Sequence, residues 1–221
     1  MIDPDNSPLV SPLLAKETSV YAKILNDIVN GLFVSGDRLI TTALAKRYNT
    51  SINPIREALK QLQGEGFVSV EQNSGARVTK FEYHTLRNVF EILQLLEPYL
   101  MEFFVDSHTE EQLAALHTLL EKMEALTPES FADYRILDVQ FHWLMYCEHY
   151  NKNAVDIWRK NHLVLHAMHV NSILNYSRIG QSIKEHKEIL QAVTNRDVEL
   201  TLSILRKHIL GGEQYWSRFI K

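Results

Sequence analysis

Residues Thr50–Val70, TSINPIREALKQLQGEGFVSV, place a proline near the start of a helix and a Gly-x-Gly sequence at its end. The missing N–H of Pro54 costs nothing in the first turn, so the proline marks a helix start, with Ser51 or Asn53 as the expected N-cap. Two stripes follow at helical spacing, one apolar (Ile55, Ala58, Leu59, Leu62) and one polar (Asn53, Arg56, Lys60, Gln63). One face therefore suits a protein core and the other a polar partner.

The flanking segments predict the rest of a small DNA-binding fold. Apolar periodicity from Val20 predicts a first helix that ends at Asn30-Gly31, and ALAKRYN, capped by Thr41 or Thr42, predicts a short second helix. The intervening FVSGDRL reads as a loop. Phe67–Val70 and Ala76–Thr79 alternate as strands do, with a turn between them. Three helices and a hairpin in this order predict a winged helix-turn-helix, whose last helix enters the major groove.

Charge is distributed unevenly along the chain, whose formal net charge is −4. Gly36–Lys80 carries seven basic and four acidic residues, whereas the rest of the chain from Phe81 carries 14 basic and 19 acidic residues and all ten histidines. The single cysteine, Cys147, excludes an intrachain disulfide and suits a reducing cytosol. Two compositions in one chain predict two domains with different functions.

The domain prediction divides the chain into a flexible N-terminal arm (1–18), a winged helix-turn-helix domain (19–80), a linker (81–85) and an all-helical domain (86–221). No apolar run approaches the roughly 18–20 residues that span a bilayer. The N-terminal segment also lacks the basic and apolar regions of a signal peptide. We therefore expect a cytoplasmic protein that does not associate with membranes.

The polar stripe of the third helix has two interpretations. The commoner one for an amphipathic pattern alone is a solvated surface. The complete order of helices, turn and wing favours instead a surface that faces double-stranded DNA. Arg38, at the entrance to the second helix, is a further candidate for a phosphate or base contact, although an isolated arginine is more often only exposed.

Beyond Phe81 the apolar residues repeat at helical spacing, from Leu86 onward. Further helical segments are predicted at about 131–150, 154–174, 181–194 and 198–219. Thr109 and Thr127, each followed by a glutamate within two residues, are expected helix starts. The sequence predicts a bundle of about six helices, and such bundles build sites from side chains on facing helices.

One carboxylate and three imidazoles are candidates for a metal site. Asp138 and His142 lie four residues apart and share a helical face, while His186 and His208 lie on two other predicted helices. Carboxylate and neutral imidazole suit zinc, nickel, iron or manganese. Surface or hydrogen-bonded histidines are the ordinary alternative. A second set, His162, His166 and His169, also shares a face and could line the same cavity, bind a metal, or simply pack.

The first half of the chain resembles the DNA-binding domain of the GntR family of bacterial transcription regulators. The matched residues are Gly36, Leu39, Leu44, Ala45, Ser51, Pro54, Arg56, Glu57, Ala58, Leu59, Leu62, Glu65, Gly66 and Gly75. The resemblance implies that Arg38, Arg56 and Gly75 contact the operator. Together with the helix stripe, the candidate DNA-binding set is Arg38, Ser51, Asn53, Arg56, Lys60 and Gly75. Ile52 departs from the pattern, because the family usually has an arginine there that reaches a guanine.

The second half, from about Leu86 to Phe219, resembles the FCD ligand-binding domain of the FadR subfamily. Metal-binding members have an Asp-x-x-x-His pair, a histidine in an E-H-x-x-I motif and another near the start of the last helix. Asp138, His142, His186 and His208 match these positions, so the resemblance implies a divalent metal there. Relatives also carry a pocket arginine in the first helix of this domain, where this chain has Gln94, the candidate effector-binding residue.

The resulting hypothesis is a metal-containing transcription regulator that responds to a small organic acid and is not an enzyme. A homodimer is expected, because one winged helix reads only half of a palindromic operator. One alternative is a metal-responsive regulator in which the ion is itself the effector. Another is a metal-dependent hydrolase, for which Glu185 is the sole nearby candidate base.

Overall fold

A computed structural model describes residues 11–71, 75–127, 133–169 and 176–218. They divide into a first compact unit within Met1–Phe81 and Leu163–Asn171 and a second within Glu82–His162 and Ser172–Lys221. The described chain is mainly helical with one small antiparallel sheet, which confirms the predicted fold class. None of the described helices is long and apolar enough to cross a membrane.

The first unit contains the three predicted helices and the hairpin of a winged helix-turn-helix. Its elements are a 3-10 helix (Pro12–Leu14), α1 (Val20–Val29), β1 (Arg38–Leu39), α2 (Thr41–Arg47), α3 (Ile52–Gly64), β2 (Val68–Glu71) and β3 (Gly75–Val78). The strand order is β1-β3-β2, and both pairings are antiparallel. Strand β1 was not predicted: it lies at the end of the segment FVSGDRL, and two residues are too few for a periodic pattern.

Helices α1 and α3 end as their sequences predict. Asn30 is the C-cap of α1, and Gly31 follows with φ 77°, a left-handed conformation that glycine adopts without strain. Ser51 is the N-cap of α3 through its extended backbone, without a side-chain hydrogen bond. Pro54 is the third helical residue, and Gly66, with φ 87°, follows the helix end. The apolar stripe of α3 is buried in the core of this unit.

The start of α2 differs from its prediction. Ile40 is the N-cap, so Thr41 is already the first helical residue and neither threonine caps the helix. Helix α2 is instead tied to α1 by a polar contact at its other end. Asp27, buried in α1, accepts a hydrogen bond from Arg47 Nε at 2.8 Å and from the Tyr48 hydroxyl at 2.6 Å. This carboxylate joins α1 and α2 of the first unit.

The predicted arm is packed over its described part. Leu13 and Leu14 are buried, and the backbone N–H of Ser11 donates to Asn26 Oδ1 at 2.9 Å. Apolar burial and a hydrogen bond to α1 therefore hold Ser11–Leu14 on the first unit. The arm prediction for residues 1–10 lies outside the described residues.

The second unit is a bundle in which six helices are described, although the residues of the fourth helix from Leu163 onward are assigned to the first unit. They are α4 (Tyr83–Ser107), α5 (Glu110–Glu124), α6 (Tyr134–Tyr146), α7 (Lys152–His169), α8 (Tyr176–Thr194) and α9 (Val198–Trp216). Thr109, an expected helix start, is the N-cap of α5 and forms a capping box with Gln112. Helix α4 begins at Tyr83, inside the predicted linker 81–85, so the described interval between β3 and α4 is only Thr79–Glu82. The predicted start after Thr127 falls on residues 128–132, which lie outside the described residues.

Substituting Asp27 tests the polar contact between α1 and α2. Asp27→Ala leaves the Arg47 and Tyr48 donors without their acceptor, so we expect a loss of roughly 1–3 kcal/mol in local stability. Amide hydrogen exchange in α1 and α2 of the intact protein measures that loss. Asp27→Asn keeps one acceptor oxygen and is expected to lose less. Equal protection in the wild type and Asp27→Ala would contradict the assignment.

Candidate metal centre and DNA-binding surface

Four side chains from three helices of the second unit converge on one point. Asp138 and His142 lie one turn apart on α6, His186 lies on α8, and His208 lies on α9. Each offers one ligand atom, and these atoms all lie within 4.8 Å of one another. All three histidines are buried, while Asp138 is half-buried. The structure thus brings together the residues that the sequence predicts as a metal site.

The shortest polar contacts within the cluster join ring nitrogens to each other and to the carboxylate of Asp138. His142 Nε2 lies 3.1 Å from His186 Nε2, and His186 Nε2 lies 3.4 Å from Asp138 Oδ1. The His208 ring is stacked on that of His142, with 5.3 Å between centroids, and lies 4.7 Å from that of His186. Nitrogen and oxygen atoms therefore face a common centre.

Burial keeps two of these imidazoles in the form that a metal requires. Burial lowers the pKa of His142 to about 4, although the nearby carboxylates of Glu97 and Asp138 raise it in part. It also holds the pKa of His186 well below its usual value, assisted by the positive charge of Arg178 and the neighbouring histidines. Both rings are neutral at pH 7 and can offer a nitrogen lone pair.

The donor set and its dimensions fit a divalent transition metal. Zinc lies about 2.0–2.2 Å from imidazole nitrogen and carboxylate oxygen, so two of its ligand atoms are at most about 4.4 Å apart. The four ligand atoms need only a slight approach to reach such distances, since all lie within 4.8 Å of one another. His142 Nδ1 and His186 Nδ1 are buried without a hydrogen-bond partner in the described chain. Their Nε2 atoms lie 3.1 Å from each other and are the atoms that face the shared centre.

Neighbouring polar side chains hold the cluster in place. The Tyr134 hydroxyl donates to Asp138 Oδ1 at 3.0 Å, and Glu185 Oε2 lies 2.7 Å from His208 Nδ1. Arg178 Nη1 in turn lies 3.2 Å from Glu185 Oε2. Sequence reasoning missed Tyr134 and Arg178 as supporting residues. Tyr134 could have been found, because it precedes Asp138 by one helical turn on the same face.

A fourth histidine takes part in a separate buried network. His162 Nε2 lies 3.1 Å from Glu97 Oε1, which also accepts from Trp158 Nε1 at 2.9 Å. Burial alone would raise the pKa of Glu97, but the His162 hydrogen bond, the nearby His142 and the Trp158 hydrogen bond lower it to about 2. The His162 ring lies 6.2 Å from that of His142, so it borders the cluster. The side chain of His169 lies outside the described part of the chain.

Gln94 is already engaged in the structure. Its Nε2 donates to Glu213 Oε2 at 2.7 Å, linking α4 to α9. Gly212, which precedes Glu213 on α9, lies close to Phe90 of α4, and a Cβ there would lie 3.5 Å from the Phe90 ring. An effector that bound Gln94 would therefore have to replace the hydrogen bond that the Gln94 side-chain amide donates to Glu213.

In the first unit, α3 presents its polar stripe to solvent. Asn53, Arg56, Lys60 and Gln63 are exposed, while the opposite face is buried, and Ser51 is exposed at the helix start. Ile52, the departure from the family pattern, is the first helical residue and only half-buried. This arrangement leaves a continuous polar surface free to enter a groove.

The unpredicted strand β1 explains how Arg38 and the wing come together. Arg38 pairs with Arg77 across β1 and β3, which places the Arg38 side chain beside Gly75. Gly75 has φ 79°, and a Cβ there would lie 3.8 Å from the Arg38 guanidinium. Arg77 Nη1 donates to the Gly36 carbonyl at 2.9 Å. Two arginines therefore lie on adjacent strands of the wing, a basic arrangement suited to DNA phosphates.

A winged helix-turn-helix joined in one chain to a helical bundle defines the class of winged-helix transcription regulators. The model of the gntR family of bacterial regulatory proteins matches residues 16–78, and that of the FCD domain matches residues 88–211. The chain therefore belongs to the GntR family of transcription regulators and carries an FCD domain.

Similar proteins agree with this assignment. The chain is 28% identical over 212 residues to an uncharacterised HTH-type regulator, YdhC of Bacillus subtilis, with 89% of each chain covered. It is 25% identical to the Escherichia coli repressor GlaR, covering 86% of this chain and 90% of that one. It is 26% identical to the B. subtilis gluconate operon transcriptional repressor, covering 82% and 76%. These relatives are transcription regulators, which confirms that the chain is not an enzyme.

Solved structures share the fold. E. coli McbR/YncC superposes with a TM-score of 0.74 at 20% identity, covering 92% of this chain and 98% of that one. A GntR transcriptional regulator from Rhodococcus sp. RHA1 gives 0.71 at 19% identity, covering 89% and 94%. At 19–20% identity, this similarity shows that the fold is shared and carries no information about a ligand.

Replacing Arg56 tests the DNA-binding surface. Arg56→Ala removes an exposed cation from α3, and we expect specific DNA affinity to fall by roughly 1–3 kcal/mol. Fluorescence anisotropy with an operator selected by the wild type from random DNA measures the change. Arg87→Ala, which removes an exposed arginine of α4, is the matched control and should bind as the wild type does. Undiminished binding by Arg56→Ala would exclude this residue from the interface.

Proposed function

We propose that this protein is a repressor whose FCD domain holds one divalent transition metal and uses it to bind a small carboxylate effector. The observation that carries the proposal is the convergence of Asp138, His142, His186 and His208, in which the three histidines are buried and burial lowers the pKa of His142 and His186. Zinc, nickel, iron and manganese all accept this donor set. Repression is proposed because relatives over most of the chain are named repressors.

The metal would act as a Lewis acid toward the effector. Four protein ligands leave open positions on an ion that takes five or six, and a carboxylate oxygen is a ligand that these ions accept. Arg178 supplies a positive charge next to the cluster. The arginine that relatives carry in the first helix of this domain is replaced here by Gln94. One relative is named for the gluconate operon, so gluconate is the first effector to test.

Control of DNA binding requires that the effector distinguish two conformations of the regulator. An effector that bound both equally would shift nothing, whatever its affinity. We propose that the effector-bound form has the weaker operator affinity. Reciprocal coupling then requires that operator DNA weaken effector binding by the same factor.

The DNA-bound form is proposed to be a homodimer on a palindromic operator. One winged helix contacts a half-site, and two heads on a dimer roughly double the phosphate contacts. Helix α4 offers an apolar face for a second copy: Leu95 is 80% exposed, and Ile92 and Tyr99 lie on adjacent turns with large exposed surface. Tyr150, 68% exposed, extends this face, and its hydroxyl lies 2.9 Å from that of Tyr99. Such a surface is typical of protein interfaces.

A second candidate function is direct metal sensing, in which the ion itself changes operator affinity. The same cluster supports it, since an ion bound there would replace the 3.1 Å contact between His142 Nε2 and His186 Nε2, which links α6 to α8. Operator binding measured with metal-free and metal-loaded protein, each without added acid, separates the two candidates. A metal effect equal to that of metal plus gluconate would favour the sensor.

Removing His186 tests the metal site and the effector together. His186→Ala loses one of four ligands, so we expect metal content after dialysis to fall from about one ion per chain to a small fraction. Gluconate should then no longer change operator affinity. Plasma mass spectrometry and anisotropy are the measurements, and His117→Ala, an exposed histidine of α5, is the control. Full metal content in His186→Ala would reject this ligand.

Charging the exposed face of α4 tests the dimer. Leu95→Glu places a carboxylate in the proposed interface, where its desolvation disfavours association. Light scattering should show a shift from dimer to monomer, and operator affinity should fall. Leu200→Glu introduces the same charge at another exposed leucine, on α9, and should leave the dimer intact. A dimeric Leu95→Glu protein would place the interface elsewhere.

A further inference from the structure

We infer that Glu185 is a positioning residue for the proposed metal site: it accepts the Nδ1 proton of His208 and so leaves Nε2 available as the ligand atom. The inference rests on the proposed function, because it concerns how one of the four ligands is oriented. Glu185 Oε2 lies 2.7 Å from His208 Nδ1, and the two side chains are only 14% and 10% exposed.

The chemistry of the pair determines the tautomer. An ionised carboxylate carries no hydrogen to donate, so the short contact requires a proton on His208 Nδ1. A neutral imidazole protonated at Nδ1 keeps its lone pair at Nε2. A neutral ring protonated at Nε2 instead would have no lone pair there and would place two acceptors, Nδ1 and the Glu185 carboxylate, against each other. Metal-binding histidines are commonly oriented by a carboxylate in this way.

Both oxygens of Glu185 are held by neighbouring donors on α8. Gln181 Nε2 donates to Oε1 at 3.0 Å, and Arg178 Nη1 lies 3.2 Å from Oε2. Arg178 and Gln181 precede Glu185 by about two turns and one turn, so the helix itself fixes the carboxylate. Side chains of the same helix therefore hold the acceptor in position.

The position of Glu185 next to His186 gives the two residues different tasks. Adjacent residues on a helix point about 100° apart, so His186 faces His142 while Glu185 faces α9. His142 Nδ1 and His186 Nδ1 have no partner in the described chain. His208 is thus the one ligand histidine of the three for which the described residues supply an orienting carboxylate.

This role separates Glu185 from the base of a hydrolase. A general base needs a free carboxylate oxygen directed at a bound water. Here Oε2 is shared between His208 and Arg178, and Oε1 is occupied by Gln181. The contacts assign Glu185 to the support of a ligand rather than to proton transfer.

Two measurements test the inference in the full-length protein. The first is the imidazole nitrogen spectrum of the metal-free wild type labelled with ¹⁵N-histidine, with His208 identified by its loss in His208→Gln. We expect His208 to be protonated at Nδ1. Protonation at Nε2 would overturn the inference, and this result depends neither on metal binding nor on the folding of a Glu185 variant.

The second measurement is zinc affinity by chelator competition. Glu185→Ala should raise the dissociation constant about 10- to 100-fold. Glu185→Gln keeps an uncharged acceptor and should have an intermediate value. Glu188→Ala, an exposed glutamate one turn away on α8, is the matched control and should bind zinc as the wild type does. Wild-type affinity in Glu185→Ala would overturn the inference, whereas a wild type that binds no zinc would reject the proposed metal site itself.

Discussion

The proposed metal site depends on the burial of three histidines whose close polar contacts are with each other and with two carboxylates, those of Asp138 and Glu185. Three imidazoles and one carboxylate meet where α6, α8 and α9 face one another, and two ring nitrogens there have no partner among the described residues. Unpaired buried polar groups cost free energy that a core of leucines would not cost. The burial of such a cluster therefore suits the proposed metal site better than it suits apolar packing alone.

The two units differ in where they place their polar and charged side chains. In the first, the polar residues of α3 are exposed to water, which the proposed contacts with phosphates and base edges would replace. In the second, Glu97 is ionised within a buried network of Trp158 and His162 beside the cluster. Exposed charges can bind a long polyanion such as DNA, whereas a buried charged network can hold the side chains of a small site in position.

Much of this arrangement could be predicted from local sequence, because helical periodicity has a short range. Asp138 and His142 share a face through their spacing alone, and Pro54 marks the start of α3 for a reason internal to the peptide bond. The meeting of His186 with His208 depends on how α8 packs on α9, which no local pattern encodes; family resemblance supplied it. Strand β1 and the Glu185–His208 contact were missed for the same reason, since each depends on a partner distant in sequence.

The central claim is that one cation lies among Asp138, His142, His186 and His208. A crystal of protein purified without chelators, recorded on both sides of the absorption edge of its bound metal, tests this claim most directly. The account predicts one anomalous peak per chain, enclosed by those four side chains. An anomalous map without a peak there, with the four side chains ordered, would contradict it.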